Sequence, residues 1–488
     1  MRCSRRWAPT VRSTCSRRTA PTWSSTSRAG WPRKPSRLPQ FAAIAAGLRC
    51  RIQPLRILLI SDFYWPYLGG VEQHVRSLAH SLTEQGHSVT VATLAGKDLA
   101  QEEYDDAVRV RRLGSMSQRM SGFFTSAERP WAPPLPDPAI TWQLRRLIVA
   151  DPPDIVHGHD WLCRSFLPLR KWAQKRYGTR FLSTLHYYTL SCAKKNLMRS
   201  EMTDGHVIET PCSGPAVTKC LACAWRHYGP ITGTLTATGN ALGAAAERRA
   251  ASTIIAVSTA TARGNGLAPG ASRAGGAAVV VVPNFLTAVA EDDRAKRDGA
   301  TTLAANVPAL VERLPQGQFI VFVGDLRPMK GLDVLLAAYR GFENAPPLVL
   351  IGKSWPDTPT DLPNGVTVHD RWPNAAVIEA FRRSSIAVVP SVWAEPFGIV
   401  VIEAMAGGTP VIGSNVGGIP EIIEDGISGV LVPPSDPIAL RRALADLIGD
   451  PDRRSVMGEA ARRRAQDFTA AHVVPQLENE YRQSTSSR

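Results

Sequence analysis

Two carboxylates in the run SVWAEPFGIVVIEA, Glu395 and Glu403, stand eight positions apart on either side of Gly398. The apolar run IAVVPS leads into this segment as a strand, and a helix is expected to begin near Gly398. The first turn of such a helix offers free N–H groups and the positive end of the dipole. Pro396, Phe397, Gly398, Ile399 and Val400 therefore form a segment suited to an anionic diphosphate, with Gly398 allowing close backbone approach. Lys330 in RPMKG is a cation at a helix start, where the dipole does not favour one, and Arg327 stands three positions earlier. In the first half of the chain, Gly69–Gly70 falls between the first strand and the first helix, where a side chain would obstruct a phosphate. His186 in STLHYY sits at a strand's carboxyl end, and His159 in HGHDWL is a weaker candidate for the same cleft. Each has a plainer reading when taken alone: a solvated carboxylate, a tight turn, a structural histidine.

A further group has metal-ligand character. Cys192, Cys212, Cys220 and Cys223 follow the spacing C-x19-C-x7-C-x2-C. Four thiolates can hold a structural zinc, stapling a loop too polar to build its own core. An iron–sulfur cluster has the same ligand count, and four unrelated thiols are the simpler alternative. Any metal here is expected to be structural. No D-x-D motif falls in a credible loop, so no catalytic metal is expected.

The elements that must position these residues alternate regularly. From Leu55, short apolar strands exchange with amphipathic helices, the pattern of parallel sheets covered on both faces. LRILLIS, HSVTVATL, PDIVHGH, RFLSTLH, STIIAVS and AAVVVVPN read as one doubly wound unit. FIVFVG, PLVLIG, VTVHD, IAVVPS, TPVIGS and GVLV read as a second. The expected division is a disordered basic extension over 1–54, a first Rossmann-like domain over 55–284 with the cysteine insertion at 190–230, and a linker over 285–306. A second Rossmann-like domain follows over 307–466, with a closing helix and tail over 467–488. Ligands of open α/β sheets bind beyond the carboxyl ends of the strands, so the site is expected in a central cleft between the domains.

The stretch from Ser391 to Pro434, together with GGVEQHV, VVPNF and VGDLRPMKGLDVLL in that order, resembles the family 4 retaining glycosyltransferases of GT-B fold. In pattern the resemblance covers roughly nine-tenths of the chain from Leu55 onward. It implies a nucleoside-diphosphate sugar donor carrying UDP, GDP or ADP, and a carbohydrate, lipid-linked or small-molecule acceptor. It implies that Glu395 contacts the donor sugar's hydroxyls, Glu403 the nucleotide ribose, Lys330 the diphosphate, and that His186 points toward the transferring sugar. The base is expected against the HDRWPN loop, Asp370 to Asn374. One departure stands out: the family places Arg directly after the glycine, whereas this chain reads Gly324–Asp325–Leu326–Arg327. Arg327 is the candidate substitute.

Charge narrows the partners. Residues 1–61 hold thirteen Lys or Arg and no acid, which leaves +2 of the total +15 for the rest, so the excess is not a nucleic-acid footprint. RKWAQKRYGTR and KKNLMR interleave basic and aromatic residues and suit either a solvated face or anionic headgroups. A cytoplasmic protein, peripheral at the inner membrane face and acting in cell-envelope or polysaccharide synthesis, is the expectation. The competing readings are a nucleotide-sugar 2-epimerase of the same fold and a non-catalytic nucleotide-sugar-binding protein.

Overall fold

The computed structural model describes residues 53–67, 69–119, 132, 134–203, 206–270, 277–286 and 307–486. The expectations for the basic extension up to 52 and for most of the linker, 287–306, lie outside the described residues.

In chain order the first half forms β1 (Arg56–Ser61), β2 (Ser88–Leu94), β3 (Glu102–Asp105), β4 (Val108–Leu113), β5 (Ile155–His159), β6 (Arg180–Leu185), β7 (Met198–Thr203), β8 (His206–Pro211), β9 (Thr253–Ala256) and β10 (Ala278–Val281). The second half forms β11 (Ile320–Val323), β12 (Leu348–Ile351), β13 (Val366–His369), β14 (Ile386–Val389), β15 (Val411–Ser414) and β16 (Gly429–Val432). The first sheet runs β10-β9-β6-β5-β1-β2-β4-β3 and the second β13-β12-β11-β14-β15-β16, while β7 and β8 make a separate antiparallel hairpin. Every pair within the two large sheets is parallel except β3 with β4.

The first sheet shows why such short runs suffice. Successive side chains of a strand point to opposite faces. Ile57 and Leu59 of β1 therefore pack on one side with Val75, Leu78 and Leu82 of the helix Gly70–Glu84. Leu58 and Ile60 pack on the other with Ile140, Leu144 and Ile148 of the helix Pro138–Ala150. Each such fully buried aliphatic side chain contributes about 1.5–3 kcal/mol. The closing helix Ala470–Ser486 lies on the Ile57 face of the first sheet, adding Val473, Val474, Leu477 and Tyr481 to that core. Tyr481 donates to or accepts from His157 Nδ1 at 2.7 Å, so the tail is fastened by a polar bond as well as by apolar contact.

The strands β3 and β4, the β7–β8 hairpin and the helix Pro230–Ala250 were hidden from periodicity. EEYD and VRVRRL form the β3–β4 pair, whose exposed face carries Glu102, Arg109 and Arg111 as cross-strand charges instead of a continuous apolar run. The insertion also extends past 230, because the hairpin is followed by two packed helices, Val217–Tyr228 and Pro230–Ala250, before the chain returns to β9.

Candidate active site

The order of each sheet decides which loops meet. In the second sheet β11 lies directly beside β14, although 62 residues separate their ends, and their carboxyl-end loops become neighbours. Val392 and Trp393 donate backbone N–H groups to the Met329 carbonyl at 3.1 and 3.3 Å, joining the two loops. That pairing sets Lys330 Nζ 2.6 Å from Glu395 Oε1, and the Ser391 hydroxyl donates to the same oxygen at 3.0 Å. The Lys330 ammonium also lies 4.9 Å from the centroid of the Trp393 ring. Glu395 is buried while Lys330 is partly open, so the pair presents its cationic end outward.

Glycines shape the support for Glu395. A Cβ on Gly417 would fall 2.2 Å from the Glu395 carbonyl oxygen, and Gly417 has a φ of +63°. Gly418 donates its N–H to that same carbonyl at 2.7 Å. The turn can press against the carboxylate's backbone only because neither residue carries a side chain.

The helix Ile399–Gly407 starts from Gly398, at φ 115°, and no side chain caps it. The helix Gly70–Glu84 is likewise preceded by Gly69 without a side-chain cap. Their first-turn N–H groups thus keep capacity for an external anion. The two helix starts face each other: a Cβ on Gly70 would lie 3.3 Å from Ile399 Cδ1. The helices Pro138–Ala150, Pro437–Gly449 and Pro451–Ala465, by contrast, are closed by the acids Asp137, Asp436 and Asp450. Pro396 and Phe397 are buried, and Ile399 and Val400 partly so, at the same junction.

Glu403 sits one face further along the helix and accepts from Asn374 Nδ2 at 2.9 Å. Burial pushes its carboxyl up to about 7, only partly opposed by that amide. Asn374 closes the HDRWPN loop, so the expected ribose and base positions share a hydrogen bond. Arg327 is not gathered into this group. Its guanidinium forms a two-pronged pair with Asp357, at 2.9 and 3.0 Å to one oxygen, and lies 5.1 Å from the Trp355 ring. Asp325 is exposed.

On the opposite side, adjacency of β1, β5 and β6 collects three loops. His186 follows β6, and its Nε2 is 2.9 Å from Nδ1 of His159 at the end of β5. Both rings are buried, His159 completely and His186 nearly so. His74, on the first helix, stacks edge-on to His186 at 4.9 Å. Burial holds His186 and His157 down to about 3 and lowers His74 and His159 well below the usual imidazole range, so all four are neutral.

Beside them is an acid–base cluster that sequence reading did not single out. Lys195 reaches Asp62 Oδ2 at 3.0 Å, and its ammonium lies 4.4 Å from the Trp161 ring. Burial pushes the Asp160 carboxyl up to about 7, against the pull of Lys195. Asp160 also adopts φ 60°, an uncommon conformation for a residue with a Cβ, at the carboxyl end of β5. Side-chain hydrogen bonds join the two halves. Tyr188 donates its hydroxyl to the Ala394 carbonyl at 2.9 Å, and Thr261 donates to that of Pro396 at 2.8 Å. Glu421 accepts the N–H groups of Thr259 and Ala260 at 2.8 Å each, capping a first-domain helix from the second domain. The signal for Asp62, Asp160 and Tyr188 was positional, since each lies in a loop that leaves the carboxyl end of β1, β5 or β6 near the sheet's switch point, whereas Thr261 and Glu421 lie on short helices.

The cysteines line one recess of about 390 Å³, including its space open to solvent, between the loop after β6, the hairpin and the helix Val217–Tyr228. Its lining does not include Lys330 or Glu395.

Comparison with known proteins agrees with this arrangement. The chain is 34% identical over 182 residues to the D-inositol 3-phosphate glycosyltransferase of Segniliparus rotundus, covering 34% of this chain and 40% of that protein. It is 36% identical over 184 residues to the alpha-maltose-1-phosphate synthase of Mycolicibacterium smegmatis, covering 33% and 47%. The matched region thus spans less than half the length of these curated relatives. Among solved structures, the sucrose-phosphate synthase of Thermosynechococcus elongatus shares the fold with a TM-score of 0.62 at 19% identity, over 89% of this chain and 100% of that one. The Anabaena protein HepE in complex with UDP gives 0.56 at 17%, over 87% and 99%. A family model described as glycosyl transferase 4-like domain matches residues 69–284, and one described as glycosyl transferases group 1 matches 311–464. With both halves of the junction matched in order, the chain belongs to the family 4 glycosyltransferases of GT-B fold.

Proposed function

We propose that the protein transfers a sugar, with retention of configuration, from a nucleoside-diphosphate sugar to a hydroxyl of a carbohydrate, lipid-linked or small-molecule acceptor. The observation that carries this reading is the Lys330–Glu395 pair, 2.6 Å apart beside the uncapped start of the helix Ile399–Gly407. A diphosphate at that helix start meets N–H donors, the dipole and one outward cation. Lys330 and the helix then stabilise negative charge as it develops on the leaving phosphate, the kind of preorganised stabilisation whose removal costs about 10²–10³ in rate.

Glu395 holds its carboxylate through Ser391 and Lys330 and keeps a second oxygen to accept a sugar hydroxyl hydrogen. It is committed to an ion pair, which suits orienting a sugar better than deprotonating an acceptor. The acceptor hydroxyl attacks from the face that the nucleotide leaves, and the departing phosphate oxygen takes its proton. The protein supplies positioning and electrostatics. His186, neutral and fixed by His159, orients the transferring sugar, while Glu403 and Asn374 address the ribose and the base side. Arg327 takes part only if donor binding draws it from Asp357.

No helix among the described residues is long and apolar enough to cross a membrane. Contact with an inner membrane face, if the acceptor is lipid-linked, would rest on the basic segments around Arg170 and Lys194.

The deciding assay is nucleoside diphosphate release from UDP-, GDP- and ADP-sugars, with and without a mixed sugar and lipid acceptor extract. Acceptor-dependent release from one donor, lost in Glu395→Ala, is the expected result. Binding of a donor with no release under any acceptor would replace this reading with that of a nucleotide-sugar-binding protein.

A further inference from the structure

The cysteine-bearing segment has an unusual economy of core. Between β6 and the helix Pro230–Ala250 it buries few apolar side chains of its own, Met198 and Ala224 among them, while Val217, Met202, Ile208 and Trp225 are exposed. A segment this poor in buried apolar area does not offset the entropy of ordering its backbone, and small modules of this kind depend on a metal or a covalent staple.

The fold gathers the four cysteines from three directions. Cys192 lies in the turn before the β7–β8 hairpin. Cys212 follows the hairpin and closes its base, donating its N–H to the Leu197 carbonyl at 2.8 Å. Cys220 and Cys223 lie one turn apart on the helix Val217–Tyr228, on one face. All four line the same recess.

Backbone N–H groups aim at the sulfurs. Ser200 donates to Cys223 Sγ and Ala216 to Cys220 Sγ, each at 3.3 Å. The turn after Cys192 is held by the Lys195 N–H, which donates to the Cys192 carbonyl at 3.1 Å, and it places Lys195 and Leu197 at φ values of 67° and 53°, left-handed in residues that carry a Cβ. Amide donors to sulfur are outer partners of thiolates, and a neutral thiol gains little from them. Lys219, held by Ser213 at 3.0 Å, is among the cations lining the recess and offsets the charge that four thiolates around a divalent ion would carry.

We propose that Cys192, Cys212, Cys220 and Cys223 bind one zinc ion as a tetrathiolate, and that this module braces the transfer site. On binding, four Zn–S bonds form and the four thiols release their protons to solvent. No cysteine trio among the described residues has its sulfurs all within 4.8 Å of one another, so binding draws them together into the tetrahedron that zinc requires. The brace runs through the knuckle itself. Tyr188 donates its backbone N–H to Lys195 and accepts that of Cys192 at its carbonyl, while Tyr188, Met198 and Trp393 form one apolar cluster beneath Ala394. Lys195 in turn reaches Asp62.

The test is elemental analysis of the full chain purified under reducing conditions, with cobalt replacement as a second measurement. The expected result is about one zinc per chain, falling about tenfold or more in Cys223→Ser and in Cys212→Ser. Cobalt-loaded wild type should show the absorption of a tetrahedral tetrathiolate, which does not depend on any variant folding. Less than a stoichiometric amount of zinc with cobalt bands absent, or iron and inorganic sulfide in place of zinc, would overturn the proposal. The brace rests on the transfer reading and is checked separately by stripping zinc with a mercurial from active enzyme and restoring it. Loss and recovery of sugar transfer in step with zinc supports it, while unchanged transfer in the stripped enzyme refutes the brace and leaves the metal site standing.

Discussion

The Tyr188 hydroxyl and the Ala394 carbonyl oxygen are 2.9 Å apart although 206 positions separate the two residues. Tyr188 lies two residues after His186, and Ala394 immediately before Glu395, so one hydrogen bond connects the loops that carry the candidate groups of both domains. Burial raises the phenol well above its usual value, which keeps it a donor at any working pH.

Tyr188→Phe removes that donor and keeps the ring in its cluster with Met198 and Trp393. The loss of one such bond is worth about 1 kcal/mol, or roughly fivefold in an equilibrium constant. Because the bond positions a loop, the expected outcome is a donor KM raised by about that factor, with zinc content unchanged. Steady-state kinetics beside metal analysis checks both halves.

Lys330→Met should act on a different quantity. It removes the cation facing the leaving phosphate and leaves Glu395 with Ser391 as its partner, so kcat falls by about 10²–10³. Donor binding, read by calorimetry, should weaken less than turnover. Arg327→Met, by contrast, breaks an exposed pair with Asp357, worth about 0–1 kcal/mol, and a contact with the Trp355 ring in the ligand-free chain. Comparable kinetic losses for both variants would show that donor binding draws Arg327 into the site.

Glu403 predicts a pH dependence with a definite sign. Its folded carboxyl is raised to about 7 against an ordinary value near 4.5, because burial disfavours the charge. The native state therefore holds this proton more tightly than the unfolded state. Stability from this group is greatest below about pH 4.5 and declines as pH rises to about 7, by about 3 kcal/mol at most. In Glu403→Gln that decline should vanish from denaturant midpoints measured across this window. If Glu403 meets the ribose as a carboxylate, donor affinity should also rise through pH 7 in wild type and stay flat in the variant.

Most of the scaffold was legible because most strands of the two large sheets are short apolar runs between turn signals, as in RILLIS and IAVV, and the covering helices carry an apolar face. The donor-side motif was legible because its residues are close in sequence. What periodicity could not supply was adjacency. The contact of Lys330 with Glu395 depends on β14 lying beside β11, and the grouping of His74, His159 and His186 depends on β1, β5 and β6 sharing a switch point. The β3–β4 pair escaped because charges on its open face interrupt the apolar pattern. Arg327 was read as a donor ligand by its place in the motif, and its pairing with Asp357 arises from a loop thirty residues away.

The buried histidines carry the opposite sign to Glu403. Their folded values are depressed, to about 3 for His157 and His186, against an unfolded value near 6.5. The unfolded chain binds these protons first, so stability is intact above about pH 6.5 and is lost as pH falls toward 3. His157→Gln can keep partners for Tyr481 and Thr184 while removing one proton-binding group, and the steepness of acid unfolding should drop by about one proton. An unchanged slope would place acid sensitivity elsewhere.

Gly331 offers the sharpest backbone test. It follows Lys330 directly, precedes the helix Leu332–Arg340 and has φ 80°, and a Cβ there would fall 1.8 Å from the Pro390 carbonyl oxygen. Nothing flexible can yield, because the obstacle is the backbone of the loop that carries Glu395. Gly331→Ala must push the β11 and β14 loops apart, lengthening the Lys330–Glu395 contact and costing more than the roughly 1 kcal/mol that a left-handed alanine costs by itself. Gly426 supplies the control, since its φ is 75° and nothing lies within 4 Å of an added Cβ. Gly426→Ala should therefore lose about 1 kcal/mol in thermal or denaturant unfolding and keep full turnover, whereas Gly331→Ala should lose more stability and nearly all activity. Equal effects of the two substitutions would mean that the loops accommodate the methyl group and that their close approach is not what sets the Lys330–Glu395 geometry.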